Sequence, residues 1–262
     1  NVGTLSGFND PPIATSGWNA GPHGGALAFD GTNDYVTIPD SDLWNFGSSP
    51  FSIFVDVIWK NTDGAQFLIG QRKKDVNAWG FYITANTLKV NVISVWPTVS
   101  LAFTTPFVPV VGTLYRLALV RIDDGNAATS WAIFINNVSG VLTKTAGAWN
   151  APLPDVAETL VIGRNGDDNS SYINGLISFA SIYNRALSAE VAYSYAFPFC
   201  MFEETWQRHF PWTLSTIAAA RYKILTDKNA LVGTKVYYVA DASEGGVTRK
   251  LTFIDGILAA EI

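Results

Sequence analysis

The sequence predicts an all-β protein, with two antiparallel sheets packed face to face in a jelly-roll sandwich and a small β module after it. Three observations point there. Apolar and polar residues alternate with a period of two in one short segment after another. Those segments are separated by stretches rich in Gly, Asn and Asp, which suit turns. Only one segment in the first 200 residues carries a helical signature, and strands without interleaved helices favour a sandwich over a parallel α/β sheet.

The elements follow in order. "LAF" (27–29) and "YVTIP" (35–39) flank "DGTND", so Leu27 and Phe29 are expected to share a face with Val36 and Ile38 across a hairpin turn. In "FSIFVDVIW" (51–59), Phe51, Ile53, Val55, Val57 and Trp59 face one way, and Ser52, Phe54, Asp56 and Ile58 the other. Further strands are read at "QFLIG", "WGFYIT", "LKVNVI", "YRLALVRI", "WAIFIN", "TLVIG" and "LISFASIY", with loops at "NTDG", "DDGNAATS" and "RNGDDNSS". The helical segment is "NRALSAEVAYSYA", capped by Ser188, with Glu190 in its first turn and Pro198 as its stop. A change of texture then divides the chain into a sandwich at 1–202 and a β module at 203–262. The module holds four short strands, "AARYKILT", "KVYYVAD", "TRKLTFI" and "GILAAEI", and the Asp-Gly of "IDGI" suits a two-residue type I′ turn.

Composition narrows the function. Hydrophobic residues make up 48% of the chain and charged residues 15%, enough for a large core and too little charge for disorder. The net charge is −5 with no basic patch, which speaks against nucleic-acid binding. No apolar run reaches the ~18–20 residues of a membrane helix, so no membrane insertion is expected. The chain opens on Asn1 rather than Met, which reads as the interior or processed start of a longer chain. Cys200 is the single cysteine and reads as an inert thiol.

The residues of the common hydrolytic sites are missing from the pattern. Asp56 is a lone strand acid, whereas paired-carboxylate chemistry needs two acids held ~5–9.5 Å apart. Glu203 and Glu204 are adjacent and would face opposite ways in a strand. His23 and His209 are the only histidines, with no G-x-S-x-G and no H-E-x-x-H. The expectation is a protein that is not an enzyme.

Several stretches, in the right order over residues 1–200, resemble the laminin-G-like, concanavalin A-like jelly-roll family. They are "ALAFDGTNDYVTIP", "FSIFVDVIW", "LVRIDDGNAATSWAIFINN" and "LVIGRN…YINGLISFASIYNRALSAEVA". The resemblance implies a lectin-like fold and, in many members, a structural calcium ion. Where the family carries acids after "NG", this strand has Ser178 and Phe179, which argues against calcium. A second resemblance links "YAFPFCMFE" and "KVYYVADASEGGVTRKLTFIDGILAAEI" to structural proteins of tailed bacteriophages.

Two sets of residues qualify as sites. Asp30, Asn33 and Asp34 are a partial oxygen set for calcium, with a plain turn as the competing reading. Trp96 and Trp149 fall in loop-like text beside proline and qualify as stacking platforms for sugar, with core-capping as the alternative; Trp59, Trp79 and Trp131 keep strand phase and read as core. Asp123, Asp124, Asp167 and Asp168 read as solvated loop acids. Two functions follow. The first is a non-enzymatic virion protein of a bacteriophage (a decoration, tail or fibre component) with other virion proteins, and cell-surface glycans, as partners, assembled as a homo-oligomer. The second is a carbohydrate-binding module of a secreted or cell-surface bacterial protein.

Overall fold

A computed structural model describes residues 3–22, 24–166 and 169–187, together with the backbone at 234–241, 247–254 and 257–261. The chain divides into two compact units, Asn1–Ala192 and Tyr193–Ile262.

The first unit is the expected sandwich. Its early strands are β1 (Thr4–Ser6), β2 (Gly17–Gly21), β3 (Gly24–Asp30), β4 (Tyr35–Ile38) and β5 (Phe51–Trp59). Then come β6 (Gln66–Lys73), β7 (Asn77–Thr84), β8 (Thr87–Ile93), β9 (Leu101–Pro106) and β10 (Leu114–Arg121). β11 (Trp131–Ile135), β12 (Val138–Ser139), β13 (Thr143–Gly147), β14 (Leu160–Ile162) and β15 (Asn174–Tyr183) complete it. Eight strands form one sheet in the order β1-β4-β14-β6-β7-β8-β9-β13, and seven form the other as β12-β11-β10-β5-β15-β3-β2. Short 3-10 turns lie at Asp42–Trp44 and Ala128–Ser130.

The facing rows make the core. Phe51, Ile53, Val55, Val57 and Trp59 are fully buried on β5, against Trp79, Phe81 and Ile83 of β7 and Leu88, Val90 and Val92 of β8. Each such side chain contributes about 1.5–3 kcal/mol on burial. The period-two reading of β5 therefore holds for its inner row. Its outer row is buried as well from Ser52 to Asp56, with Ile58 half-buried. Phe54 joins Ala118, Val120, Ala132 and Leu187 in a second apolar cluster. Asp56 is 1% exposed and paired with Arg116, Nη2 to Oδ2 3.1 Å.

The corner at Asp30–Asp34 departs from expectation. β3 pairs with β2 and β15, whereas β4 pairs with β1 and β14, so the two strands sit in different sheets and make no hairpin. Phe29 and Val36 still meet in the core, because the corner carries the chain across the sandwich and turns both rows inward. The expected helix begins at Ser188 and lies outside the described residues.

In the second unit, β16 (Thr234–Asp241), β17 (Val247–Ile254) and β18 (Ile257–Glu261) form an antiparallel sheet in that order. Ile254 pairs with Ile257, and the Asp255-Gly256 turn expected between them lies outside the described residues. The strand expected at 219–226 lies outside the described residues.

Candidate functional site

The outer face of the eight-stranded sheet carries an unusual set of side chains at β6, β7 and β8. Because Trp79, Phe81 and Ile83 point into the core, Ala78, Gly80, Tyr82 and Thr84 point out. On β8 the same alternation turns Lys89 and Asn91 outward. A pocket of about 330 Å³ opens over these rows, within the ~300–1,000 Å³ range of small-ligand sites.

Its floor is small by necessity. A Cβ on Gly80 would collide with the Phe67 ring, so only glycine lets that ring lie close to the strand. Phe67 stacks on Tyr82 with centroids 4.3 Å apart and planes 4° from parallel, forming an aromatic wall. Lys89 Nζ sits 6.0 Å from the Tyr82 ring centre. Burial pushes the Tyr82 phenol up to about 12, so it stays neutral across the physiological range. Arg72, Asn91 and Asn165 complete the polar lining, and no carboxylate lines the pocket among the described residues. Beyond Arg72 lies Trp96, 38% exposed, its ring 5.2 Å from the guanidinium carbon. Such a set suits a ligand with apolar C–H faces and many hydroxyls: rings for the faces, amides and cations for the oxygens.

The other predicted platform belongs elsewhere. Trp149 is 8% exposed, packs 5.2 Å from Phe103, and accepts a 2.8 Å hydrogen bond at its backbone oxygen from Trp131 Nε1. A stacking platform needs an open ring face, so Trp149 is a core residue rather than the platform its sequence context suggests. Trp59, Trp79 and Trp131 are core residues, as expected.

Asp30, Asn33 and Asp34 sit at one corner, where two of them hold the turn. Asp30 Oδ1 accepts from the N–H of Thr32 (2.7 Å) and of Asn33 (3.3 Å), an Asx arrangement. Asp34 is fully buried and its Oδ2 accepts from the Asp30 N–H at 3.0 Å, while Oδ1 has no partner. Burial raises the Asp34 pKa, against hydrogen bonds from the Ser16 side chain and the Asp30 N–H that lower it. Calcium takes ~6–8 oxygens. Here two carboxylates are tied to the backbone with a lysine ammonium as their nearby charge, and no group of three His, Cys, Asp or Glu gathers among the described residues. Phe179, in the strand where the resemblance would put an acid, packs on the second apolar cluster. Among the described residues, this set falls short of the oxygen shell a calcium ion takes.

Of the remaining loop acids, Asp123 Oδ1 accepts from the Gly125 N–H at 2.8 Å, and a hydrogen bond from Ser130 holds its pKa below the ordinary value. Sequence reasoning missed Phe67, Gly80, Tyr82, Lys89 and Asn91. The available signal was Tyr82, an aromatic on the row opposite the core row of β7.

A search of curated proteins finds no match to the chain. Among solved structures, it resembles domain 4 of an extracellular arabinanase from Geobacillus stearothermophilus in complex with arabinotriose. The TM-score is 0.51 at 18% identity, covering 71% of this chain and 83% of that one. It also resembles the CBM40 of the Ruminococcus gnavus IT-sialidase bound to α2,3-sialyllactose, with a TM-score of 0.45 at 14% identity over 57% and 83% of the two chains. The family described as the concanavalin A-like lectin/glucanases superfamily matches residues 30–191. With that match running from the Asp30 corner through β15, the chain belongs to the concanavalin A-like lectin/glucanases superfamily.

Proposed function

We propose that this chain is a non-catalytic carbohydrate-binding module of an extracellular or cell-surface protein, holding its glycan on the outer face of the eight-stranded sheet. One observation carries the reading: the pocket over Gly80 joins a stacked aromatic wall to convergent amide and cationic groups. Membership of a lectin and glucanase superfamily supports it. The lining offers no acid pair among the described residues, which supports binding rather than hydrolysis. Trp96 extends the surface on the far side of Arg72.

The virion reading, with its structural partners and homo-oligomer, draws on the order of the family-like segments and the missing catalytic sets, and is set apart from the module reading only by the phage-like resemblance that begins at Tyr195. The family match ends at residue 191 and lends it nothing, so the module reading takes precedence.

The test is a glycan array of neutral and acidic oligosaccharides, arabino-oligosaccharides included, followed by calorimetry on the hits. Gly80→Ala, which displaces Phe67, and Asn91→Ala should each weaken binding about tenfold, roughly the ~1.4 kcal/mol of a well-made polar or packing contact. Trp96→Ala should weaken longer glycans more than short ones. A folded protein that binds nothing on the array, or binds equally well with both Gly80 and Asn91 replaced, would overturn the proposal.

A further inference from the structure

The pocket over Gly80 is positive in a negative chain. The net charge is −5, yet the charged side chains among the described lining are both cations, Arg72 and Lys89. They stand at opposite ends. Lys89 lies across from Tyr82 and Arg72 across from Ala78, and the four residues of β7 between those rows span about 13 Å. The floor between them carries only the small Ala78 and Gly80, so a ligand can lie close to the sheet.

Lys89 decides the matter. It is half-buried, and its ammonium leans across β7 over the Tyr82 ring. It makes no ion pair with any described carboxylate. Asn91, its neighbour on the outer face of β8, is an amide, and Tyr82 stays neutral, so neither supplies a counter-charge. A cation without a counter-charge at the wall of a concave site sets an attractive potential where a ligand would rest. A hydroxyl brought there gains a hydrogen bond, whereas an anionic oxygen gains a charge-assisted one. Arg72, held against Trp96, adds to that potential from the far end.

We infer that the glycan taken by this face is acidic, with a carboxylate or sulfate received by the Lys89 ammonium beside the wall of Phe67 and Tyr82. The inference rests on the module reading above and names the chemical class of its ligand. The stacked rings give an apolar flank to the sugar that bears the acid. Further sugars then run over Gly80 towards Arg72 and Trp96.

The experiment uses the full chain and pairs of oligosaccharides that differ only in charge. They are tetragalacturonate and 3′-sialyllactose, each with its methyl ester, and a sulfated carrageenan tetrasaccharide with its desulfated form. Calorimetry should find the acidic member of one pair at least about tenfold tighter than its neutral counterpart, and the pair concerned tells carboxylate from sulfate. The preference should shrink as salt rises from about 0.1 M to about 1 M, where the screening length falls from ~10 Å to ~3 Å. Lys89→Met should bring the preference below about threefold, and Lys89→Arg, which keeps the charge, should retain it. Acidic and neutral members that bind alike, neutral glycans alone bound on the array, or a folded Lys89→Met protein with its preference intact would overturn the inference and leave the module reading standing. A folded chain that binds no glycan of either kind would overturn the module reading, and this inference with it.

Discussion

Arg121 is fully buried at the end of β10, and its guanidinium is spent on backbone oxygens. It donates to Gly47 (2.9 Å), Ala151 (3.1 Å), Asp123 (3.2 Å) and Asn150 (3.3 Å), with its carbon 5.2 Å from the Trp131 ring. Burial lowers its pKa, but guanidinium keeps its charge at any pH the fold survives. One side chain therefore ties together three loops that would otherwise bury unmet carbonyls. Arg121→Met should cost at least about 3 kcal/mol, from hydrogen bonds to a charged group worth about 1.5–3 kcal/mol each, read as a lower midpoint in urea unfolding. An unchanged midpoint would mean that these loops hold themselves. Asp34 makes the opposite case. Its carboxyl is raised above the ordinary 3.8 by burial, so the folded chain holds the proton more tightly than the unfolded one. Its share of stability is greatest at low pH and falls as pH rises from about 3.8 through the folded pKa. Asp34→Asn keeps an acceptor for the Asp30 N–H and removes the ionisation. The variant should flatten the decline of stability with pH just above 3.8, and a curve parallel to the parent's would refute this account.

At the scale of elements, what the sequence revealed depended on how regular each element is. β5 was readable because nine residues keep strict phase. β2 ("GWNAG") and β13 ("TKTAG") were not, since short, glycine-bearing edge strands owe their pairing to a neighbour rather than to their own pattern. The corner at Asp30 gave the right turn chemistry, but alternation alone cannot say whether two inward rows share a sheet or face each other. The site was hidden for a related reason. Strict phase in "QFLIG" would place Phe67 and Ile69 on one face. The register shift between them in β6 puts Leu68 and Ile69 both in the core and frees Phe67 to stack on Tyr82 outside. Trp96 is 38% exposed, in keeping with neighbours that have no strand pattern to bury it. The same text beside Trp149 gave no hint that a loop turns that ring inward.

For the whole molecule, the extent of the family match and the extent of the folded unit differ. The match opens at residue 30, but β1, β2 and most of β3 precede it and are built into both sheets. β3 pairs with β15 from Asn174 to Ile177, and β1 pairs with β4 from Tyr35 to Thr37. Phe29, fully buried, is met by Phe8 at 5.1 Å between ring centres. A chain begun at residue 30 would lose those partners at once, leaving β15 and β4 with unpaired backbone at new sheet edges, and such edges recruit other chains. The other boundary is different in kind, because the contacts divide at Ala192. Residues 1–192 should therefore unfold in one cooperative transition and keep the glycan affinity of the full chain, whereas residues 30–192 should aggregate or stay unfolded. Calorimetry with light scattering separates the outcomes. A soluble, cooperatively folding 30–192 would show that the N-terminal strands merely decorate a sandwich complete without them, and failure of 1–192 to fold would place part of its stability in the residues beyond.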